Sequence, residues 1–447
     1  MKNTFVHGLV ICSTLLAGCI ISGPSNPPTG STTQDPTSTS STGGNTGGTG
    51  GTGGVGGTGG STGGTGGTGG SIDGSIVCNG ALGFEAGSPW PMEGCCPDRR
   101  SRTSLFGPSI PKTAWQLDLG SPILTPPVVD NEGWIYVITA DGHLNAVQPD
   151  GTIGWSYAFA PSTQTRGTPA IGEDGTLYFG AEAGIFAVTL DGEKVWLFNA
   201  GGDKSAAAIG EDRTIYVYSS NGTLYALGPD GAPRWTLDTP PLPVSAGDGK
   251  PEPHVALDAA GNIHIGLANG VVQTVNPNGM MVSNSEQICG GPVRQFVVSH
   301  NSNVYAECAN ILYGLDPAGD IAWSTKDWGG GVFYQRPAVT SDGGLMVVDG
   351  GVMRVSSDGH SLWSKSLSIP YKHAGLALDG RDFVYVAASE DGKFRVMRIL
   401  TDKGNEFWKH EPDLANPVES AESPGSAVVD GIVYVPVSTT LWAFDSK

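Results

Sequence analysis

The sequence predicts an all-β fold: a single eight-bladed β-propeller with circular closure of the last blade, preceded by a disordered Gly/Thr/Ser-rich tether. Two repeated signals predict this fold. A Trp follows a Gly by four residues in six places, and a short apolar segment, usually centred on Tyr, recurs eight times. Units of about 40 residues that hold four short strands are typical of propeller blades.

The first signal sets the spacing of the units. Its Gly and Trp pairs are Gly151 and Trp155, Gly192 and Trp196, Gly231 and Trp235, Gly319 and Trp323, Gly359 and Trp363, and Gly404 and Trp408. Successive Trp residues are 41, 39, 88, 40 and 45 residues apart, and the long step contains one more unit, with Ser283 after Gly279. We interpret these Trp residues, with Trp115, as a set that docks neighbouring blades, because a recurrent aromatic ring is more typical of packing than of a ligand cage.

The second signal identifies one strand in each unit. Its segments are 135–137, 177–179, 215–217, 263–265, 304–306, 345–347, 384–386 and 433–435, and six of the eight central residues are Tyr. Each segment is short and bounded by turn residues, which is a strand signature. Asp-Gly pairs such as Asp174-Gly175 indicate hairpins, because Gly adopts positive φ without strain.

Two incomplete fragments predict how the ring closes. Three strands of the eighth unit, at 426–429, 432–435 and 441–444, lack the Trp strand that should follow them. That strand exists at the other end of the repeat region, where Trp115 to Leu119 has no upstream strands of its own. We therefore expect Trp115 to Leu119 to pair with Leu441 to Phe444, which removes the open edges of a linear array. The propeller is assigned to residues 114–447.

The residues before the propeller divide into three segments. Residues 1–18 have a positive start, an apolar run and small residues at the end, as in a signal peptide. Leu16-Ala17-Gly18-Cys19 resembles a bacterial lipobox, which implies lipidation of Cys19, and Ile20 after it fits sorting to the outer membrane, on its periplasmic side or at the cell surface. Residues 19–75 are a linker with too few apolar side chains to fold. Residues 76–113 form a Cys-containing strap.

Composition and motifs exclude several classes of function. The net charge of −19 with only 15% charged residues disfavours a nucleic-acid-binding protein. The sequence contains no HExxH, phosphate-loop or paired CxxC motif, and its His residues are scattered. We therefore predict no catalytic, cofactor-binding or metal-binding residues.

The cysteines suggest disulfides, which an exported protein can form. Five cysteines remain after Cys19, and Cys289 and Cys308 flank one predicted strand in the fifth blade, so we expect them to pair. Cys78 could pair with Cys95 or with Cys96, and either choice leaves one cysteine over.

Eight units with a Gly-x-x-x-Trp step resemble the PQQ-like repeat family, the eight-bladed quinoprotein-type propellers. The resemblance covers roughly residues 88–447 and includes Trp90-Pro91-Met92, which is similar to the strap found ahead of such propellers. The family contains both quinone-dependent dehydrogenases and non-enzymatic outer-membrane assembly lipoproteins, so the repeat implies the fold and not the activity. The dehydrogenases carry adjacent cysteines in a ring disulfide, but Cys95-Cys96 lies in the strap, outside the blades.

Three functions remain open at this point. The first is a non-enzymatic envelope lipoprotein that binds a protein or another envelope component, is monomeric and uses no cofactor. The alternatives are a quinoprotein (PQQ-dependent) dehydrogenase or quinone-binding protein, and a purely architectural surface protein. The links between blades are longer and more varied than the Asp-Gly turns, so we expect binding on the link side, with Trp328 as the candidate anchor.

Overall fold

The computed structural model describes residues 83–159, 167–243, 253–325, 336–348, 351–366, 376–390, 393–411 and 423–447. Within these ranges the regular secondary structure consists of β-strands and contains no α-helix. The strands are short because each apolar segment is soon followed by a Gly-containing turn, which reverses the chain.

The strands are numbered in chain order and are grouped below by blade. They begin with β1 (Lys112–Asp118), which belongs to blade 8. Blades 1 to 4 are β2 (Val128–Val129), β3 (Ile135–Thr139), β4 (His143–Val147), β5 (Ile153–Ala158); β6 (Ala170–Ile171), β7 (Thr176–Ala181), β8 (Gly184–Thr189), β9 (Lys194–Asn199); β10 (Ala208–Ile209), β11 (Ile215–Tyr218), β12 (Thr223–Leu227), β13 (Pro233–Asp238); and β14 (Val255–Leu257), β15 (Ile263–Gly266), β16 (Val272–Val275), β17 (Met281–Asn284). Blades 5 to 8 are β18 (Val293–Val298), β19 (Val304–Cys308), β20 (Ile311–Leu315), β21 (Ile321–Ser324); β22 (Ala338–Val339), β23 (Leu345–Val348), β24 (Gly351–Val355), β25 (Ser361–Ser366); β26 (Leu376–Leu378), β27 (Phe383–Glu390), β28 (Lys393–Leu400), β29 (Glu406–His410); and β30 (Ala427–Val429), β31 (Ile432–Val437), β32 (Thr440–Asp445).

Each blade is a four-stranded antiparallel sheet, and the eight sheets confirm the predicted propeller. In blades 1 to 7 the strands are adjacent in chain order, whereas blade 8 has the order β1-β32-β31-β30. The predicted closure is therefore confirmed: Trp115 pairs with Ala443, and Leu117 pairs with Leu441. The backbone N–H of Ser109 also donates to Ser446 Oγ at 2.8 Å, which joins the two ends of the domain.

The apolar core lies between neighbouring blades. The innermost and second strands are buried along their length, whereas the outermost strands alternate exposed and half-buried residues. One cluster, for example, joins Tyr136 and Leu144 of blade 1 to Ile171 and Phe179 of blade 2. The described part of the chain has no helix that is long and apolar enough to span a lipid bilayer.

Candidate functional site

The repeated Trp residues lie at the joints between blades. Each indole N–H donates to a backbone carbonyl outside its own blade, at 2.8 to 3.2 Å. The pairs are Trp115 with Pro149, Trp155 with Leu190, Trp196 with Pro229, Trp235 with Pro277, Trp323 with Ser357, Trp363 with Thr401, and Trp408 with Pro108. Most of these rings also contact the recurrent Tyr of their own blade, as Trp155 does with Tyr136 at 5.9 Å between centroids. The rings are half-buried, because they stand on the outermost strands.

The Gly of the Gly-x-x-x-Trp motif receives the Trp of the preceding blade. A Cβ on Gly359 would lie 2.6 Å from the ring of Trp323, and φ of Gly359 is +88°. Five further glycines stand in the same relation to a Trp: Gly151, Gly192, Gly231, Gly279 and Gly404. The motif therefore contributes to two joints. Its Gly packs against the Trp ring of the preceding blade, and its Trp packs against the Gly of the following blade.

Substitution of this Gly is expected to destabilise the ring beyond the cost of the backbone conformation. Gly359→Ala should lower the free energy of unfolding by about 1–3 kcal/mol more than Gly343→Ala, because the added methyl group overlaps the ring of Trp323. Gly343 is a matched control: its φ is +81°, but the nearest atom to its Cβ position is Ser357 Cβ at 3.9 Å. Denaturant unfolding of the two variants measures the difference, and equal losses would contradict the platform role.

Blade 4 replaces both recurrent aromatic residues. His264 occupies the Tyr position, and its Nε2 lies 3.3 Å from Asp258 Oδ2 while its Nδ1 lies 3.1 Å from Thr274 Oγ1. Ser283 occupies the Trp position and pairs with Thr274. The joint to blade 5 is made by backbone instead of an indole, since the N–H of Glu286 donates to Gly319 O at 3.0 Å.

The strap follows the inside of the ring. Its carbonyls accept hydrogen bonds of 2.7 to 3.0 Å from backbone N–H groups at the inner strands of seven blades. In blade order the pairs are Trp90 with Val129, Pro91 with Ile171, Pro97 with Leu257, Asp98 with Val298, Arg100 with Val339, Ser101 with Leu378, and Phe106 with Gly431. Inner strands have no further strand beside them on the channel side, so these N–H groups need another acceptor. The strap supplies it.

Blade 3 is attached through the side chain of Arg99. Its Nη2 donates to the carbonyls of Ala206 and Ala207 at 3.1 and 2.8 Å, and its Nε donates to Val255 of blade 4 at 3.1 Å. The side chain is 2% exposed, and burial lowers the pKa of Arg99 to about 10, against the opposing effect of Glu93. Glu93 also pairs with Arg336 of blade 6. This buried group fixes the middle of the strap to the ring.

The strap lies at one end of the ring. The N–H groups that donate to the strap carbonyls belong to the last residue of an inner strand or to the turn that follows it, as in Val129, Leu257 and Gly431. In an antiparallel blade the first and third turns share one end, and the second turn and the inter-blade link share the other. The strap is therefore at the end with the short turns, which we call the turn face. The opposite end is the link face.

The cysteines of the strap and of blade 5 have different roles. Cys289 and Cys308 form a disulfide with their Cα atoms 6.1 Å apart, next to β18 and at the end of β19. Cys96 is also in a disulfide, whereas Cys95 is a buried thiol whose pKa is raised by burial, with its Sγ 3.5 Å from Cys96 Sγ. The adjacent cysteines are therefore not joined to each other as they are in quinoprotein dehydrogenases.

Two buried glutamates, Glu307 and Glu85, have raised pKa values. Glu307 is 1% exposed at the link-face end of β19, and burial raises its pKa to about 7 although Asn310 donates its N–H to Oε1. Burial also raises the pKa of Glu85 in the strap to about 7, and Glu85 accepts the N–H of Asn131. In the described ranges no group of three or more His, Cys, Asp or Glu residues is arranged to hold a metal ion.

Several predicted residues lie outside the described ranges. They include the signal peptide, Cys19, the linker at 19–75, Cys78 and Trp328. Most of the long links chosen as binding loops, at 244–252, 326–335 and 412–422, also lie outside them. The sequence reasoning missed the way the strap lines the ring. Its three arginines, Arg99, Arg100 and Arg102, were visible, but no local pattern relates them to distant inner strands.

Comparisons with known proteins agree with this architecture. The sequence profile described as outer membrane protein assembly factor BamB, within the PQQ-like repeats, matches residues 108–196 and 309–447. A curated relative, outer membrane protein assembly factor BamB of Yersinia pestis, is 25% identical over 323 residues, which cover 66% of this chain and 77% of the relative.

Two solved structures show the same fold. BamB from Moraxella catarrhalis has a TM-score of 0.58 at 17% identity and covers 75% of this chain and all of its own. A quinohemoprotein alcohol dehydrogenase from Pseudomonas putida HK5 has a TM-score of 0.60 at 12% identity, with 80% of both chains covered. The profile match, which spans just over half of the residues, shows the family: this chain belongs to the BamB family of PQQ-like repeat β-propellers.

Proposed function

We propose that the protein is a non-enzymatic scaffold that binds a protein partner during the assembly of outer-membrane proteins. Membership of the BamB family supports this proposal, since the curated relative carries the name of an outer membrane protein assembly factor. The lipobox-like segment before Cys19 supports attachment to the membrane through a lipid, with the linker allowing the ring to reach a partner. The proposal includes no cofactor.

The position of the strap supports a choice of binding face. The strap occupies the inside of the ring at the turn face, where it is hydrogen-bonded to all but one of the inner strands through backbone atoms and to blade 3 through Arg99. The hairpins of this face are short and carry little variation. The link face carries the longer segments, and within the described residues the backbone hydrogen bonds between the strap and the inner strands all lie at the turn face. We therefore assign the partner to the link face, and Trp328 remains the proposed anchor.

The test uses a cell in which the chain is deleted and returned as variants. We expect deletion to lower the amount of folded outer-membrane β-barrel proteins, measured by heat-modifiable mobility in gels, and the full chain to restore it. Trp328→Ala should restore it only in part, because the anchor is lost. His360→Ala should restore it fully, because its side chain is 80% exposed on a hairpin of the turn face.

Three outcomes would contradict the proposal. An unchanged amount of folded outer-membrane β-barrel proteins after deletion would contradict a role in their assembly. Full restoration by Trp328→Ala together with failure of His360→Ala would place the partner on the turn face. Dye-linked dehydrogenase activity of the purified chain with pyrroloquinoline quinone and calcium would favour the quinoprotein alternative instead.

A further inference from the structure

Blade 5 carries a charged residue on its innermost strand. The innermost strands of the eight blades are β2, β6, β10, β14, β18, β22, β26 and β30, and as the structure describes them Arg294 on β18 is their one charged residue. This residue is half-buried, and among the described residues its guanidinium has no hydrogen-bond acceptor and no ion-pair partner. The buried arginines Arg354 and Arg398, by contrast, each pair with an aspartate. Arg294 therefore lacks the acceptors that a partly desolvated guanidinium needs.

A β-bulge takes Arg294 out of the regular pairing of its sheet. Val293 pairs with Cys308 and Gln295 pairs with Glu307, so Arg294 is an extra residue on β18. The other described innermost strands pair with their neighbours without a register shift. The disulfide of blade 5 ties the link before β18 to the strand position beside the bulge. Bulges redirect a side chain and are frequent next to functional sites, so this one indicates a role for Arg294 at the channel.

Arg294 lies toward the link face, away from the strap. β18 ends at Val298, whose N–H donates to Asp98 O of the strap at the turn face. Arg294 is four residues earlier, which is about 13 Å along the strand. The acidic third hairpin of blade 5 and first hairpin of blade 6, with Asp316 and Asp342, are at the turn face. Charges more than about 8 Å apart are largely screened at physiological ionic strength, so these carboxylates have little effect on an anion at Arg294.

Glu307 is an acidic neighbour of Arg294, but the two side chains are not paired. Burial raises the pKa of Glu307 to about 7, against the smaller opposing effects of the Asn310 N–H and of Arg294. Glu307 Oε1 accepts the Asn310 N–H, and no described group donates to the buried Oε2. A ligand with two negative charges would be repelled by Glu307 whenever that carboxyl is ionised, so a singly charged carboxylate fits better than a phosphate.

We propose that Arg294 binds a carboxylate group that enters the channel from the link face. A guanidinium and a carboxylate form two parallel N–H···O bonds, which supply the acceptors that Arg294 lacks within the described part of the chain. The carboxylate belongs to an acidic side chain or the C-terminus of a protein partner, and for this source the inference rests on the function proposed above. The binding itself is tested with a small carboxylate and does not depend on that function.

Chemical modification of arginine tests the site in the full chain. Phenylglyoxal reacts with accessible guanidinium groups, and mass spectrometry of the digested protein gives the rate at each arginine. Sodium acetate at about 0.2 M should slow the reaction of Arg294 at least about threefold relative to sodium chloride, because a charge-assisted pair of this kind gives a Kd of about 0.1 M or lower. Acetamide has the same shape without the charge and should give no protection. Arg213 is the internal control, since it is exposed on a turn-face hairpin and also has no partner among the described residues.

The variant Glu307→Gln separates ligand binding from a role in which Arg294 only offsets the charge of Glu307. Gln keeps the volume and removes the charge, so acetate should protect Arg294 more strongly in this variant. An unchanged rate in acetate, equal protection by acetamide or at Arg213, or weaker protection in Glu307→Gln would overturn the proposal. Stronger protection by inorganic phosphate than by acetate at equal ionic strength would overturn the assignment of a carboxylate. Failure of the function proposed above would appear separately, as unchanged outer-membrane β-barrel proteins in the deletion strain.

Discussion

Deletion of residues 111–120 is expected to lower the free energy of unfolding by at least about 4 kcal/mol, a loss comparable to removal of a large buried aromatic side chain. The deletion removes β1, which makes six register pairs with β32, and with it Trp115, which spans the joint to blade 1. Blade 8 would keep three strands, and β32 would expose an unpaired edge over Trp442 and Phe444.

A deletion of equal length in the linker serves as the control. Removal of residues 44–53 shortens the tether by the same ten residues and should leave the unfolding transition unchanged. Chemical denaturation followed by Trp fluorescence measures both variants. If the two deletions have the same midpoint as the unmodified chain, the closing strand does not hold the ring together.

The second large effect is expected at Arg99. Arg99→Met keeps most of the side-chain volume but removes the donors that serve Glu93, Ala206, Ala207 and Val255. The carbonyls of Ala206, Ala207 and Val255 would stay buried with fewer partners, and Glu93 would keep only Arg336 of its two arginine partners, so we expect a loss of roughly 3–5 kcal/mol. Arg99→Lys should recover only part of it, because a single ammonium cannot reach both blades.

Limited proteolysis gives a second measurement that is specific to the strap. In Arg99→Met the strap should become cleavable near Arg100 or Arg102 under conditions in which the parent chain is protected. Arg234→Met is the control, since Arg234 is 38% exposed on an outer strand and pairs with Asp212. A strap that stays protected in Arg99→Met would contradict the anchoring role, as would equal destabilisation by the two substitutions.

Much of the fold could be predicted from the sequence because its determinants are local and repeated. The apolar segments around residues such as Tyr136 and Tyr385 specify strands through their composition, and Asp-Gly turns specify hairpins. The closure followed from the strand count. Three strands at one end of the repeat region and one strand at the other end together make one complete four-stranded blade. The strand and hairpin assignments need only neighbours in the chain, whereas the closure needed the strand count of the whole repeat region.

The candidate site depended on contacts that no local pattern encodes. The Gly and Trp of one motif are four residues apart, yet Trp323 packs on Gly359 of the next blade and not on Gly319 of its own. Which of the two faces of the ring carries the strap also became known only from the tertiary structure.

The sequence by itself therefore determined the number of blades, their strands and the closed ring, because the strands of blades 1 to 7 pair in chain order and the two remaining fragments complete the eighth blade. Only the tertiary structure decided that the strap circles the inside of the ring and that Arg99 joins blades 3 and 4. It also decided that Cys95 remains a thiol beside a disulfide-bonded Cys96. The contacts of Arg99 join residues far apart in the chain, with Ala207 108 positions and Val255 156 positions away, and which carbonyl is within reach there depends on how the blades pack around the axis.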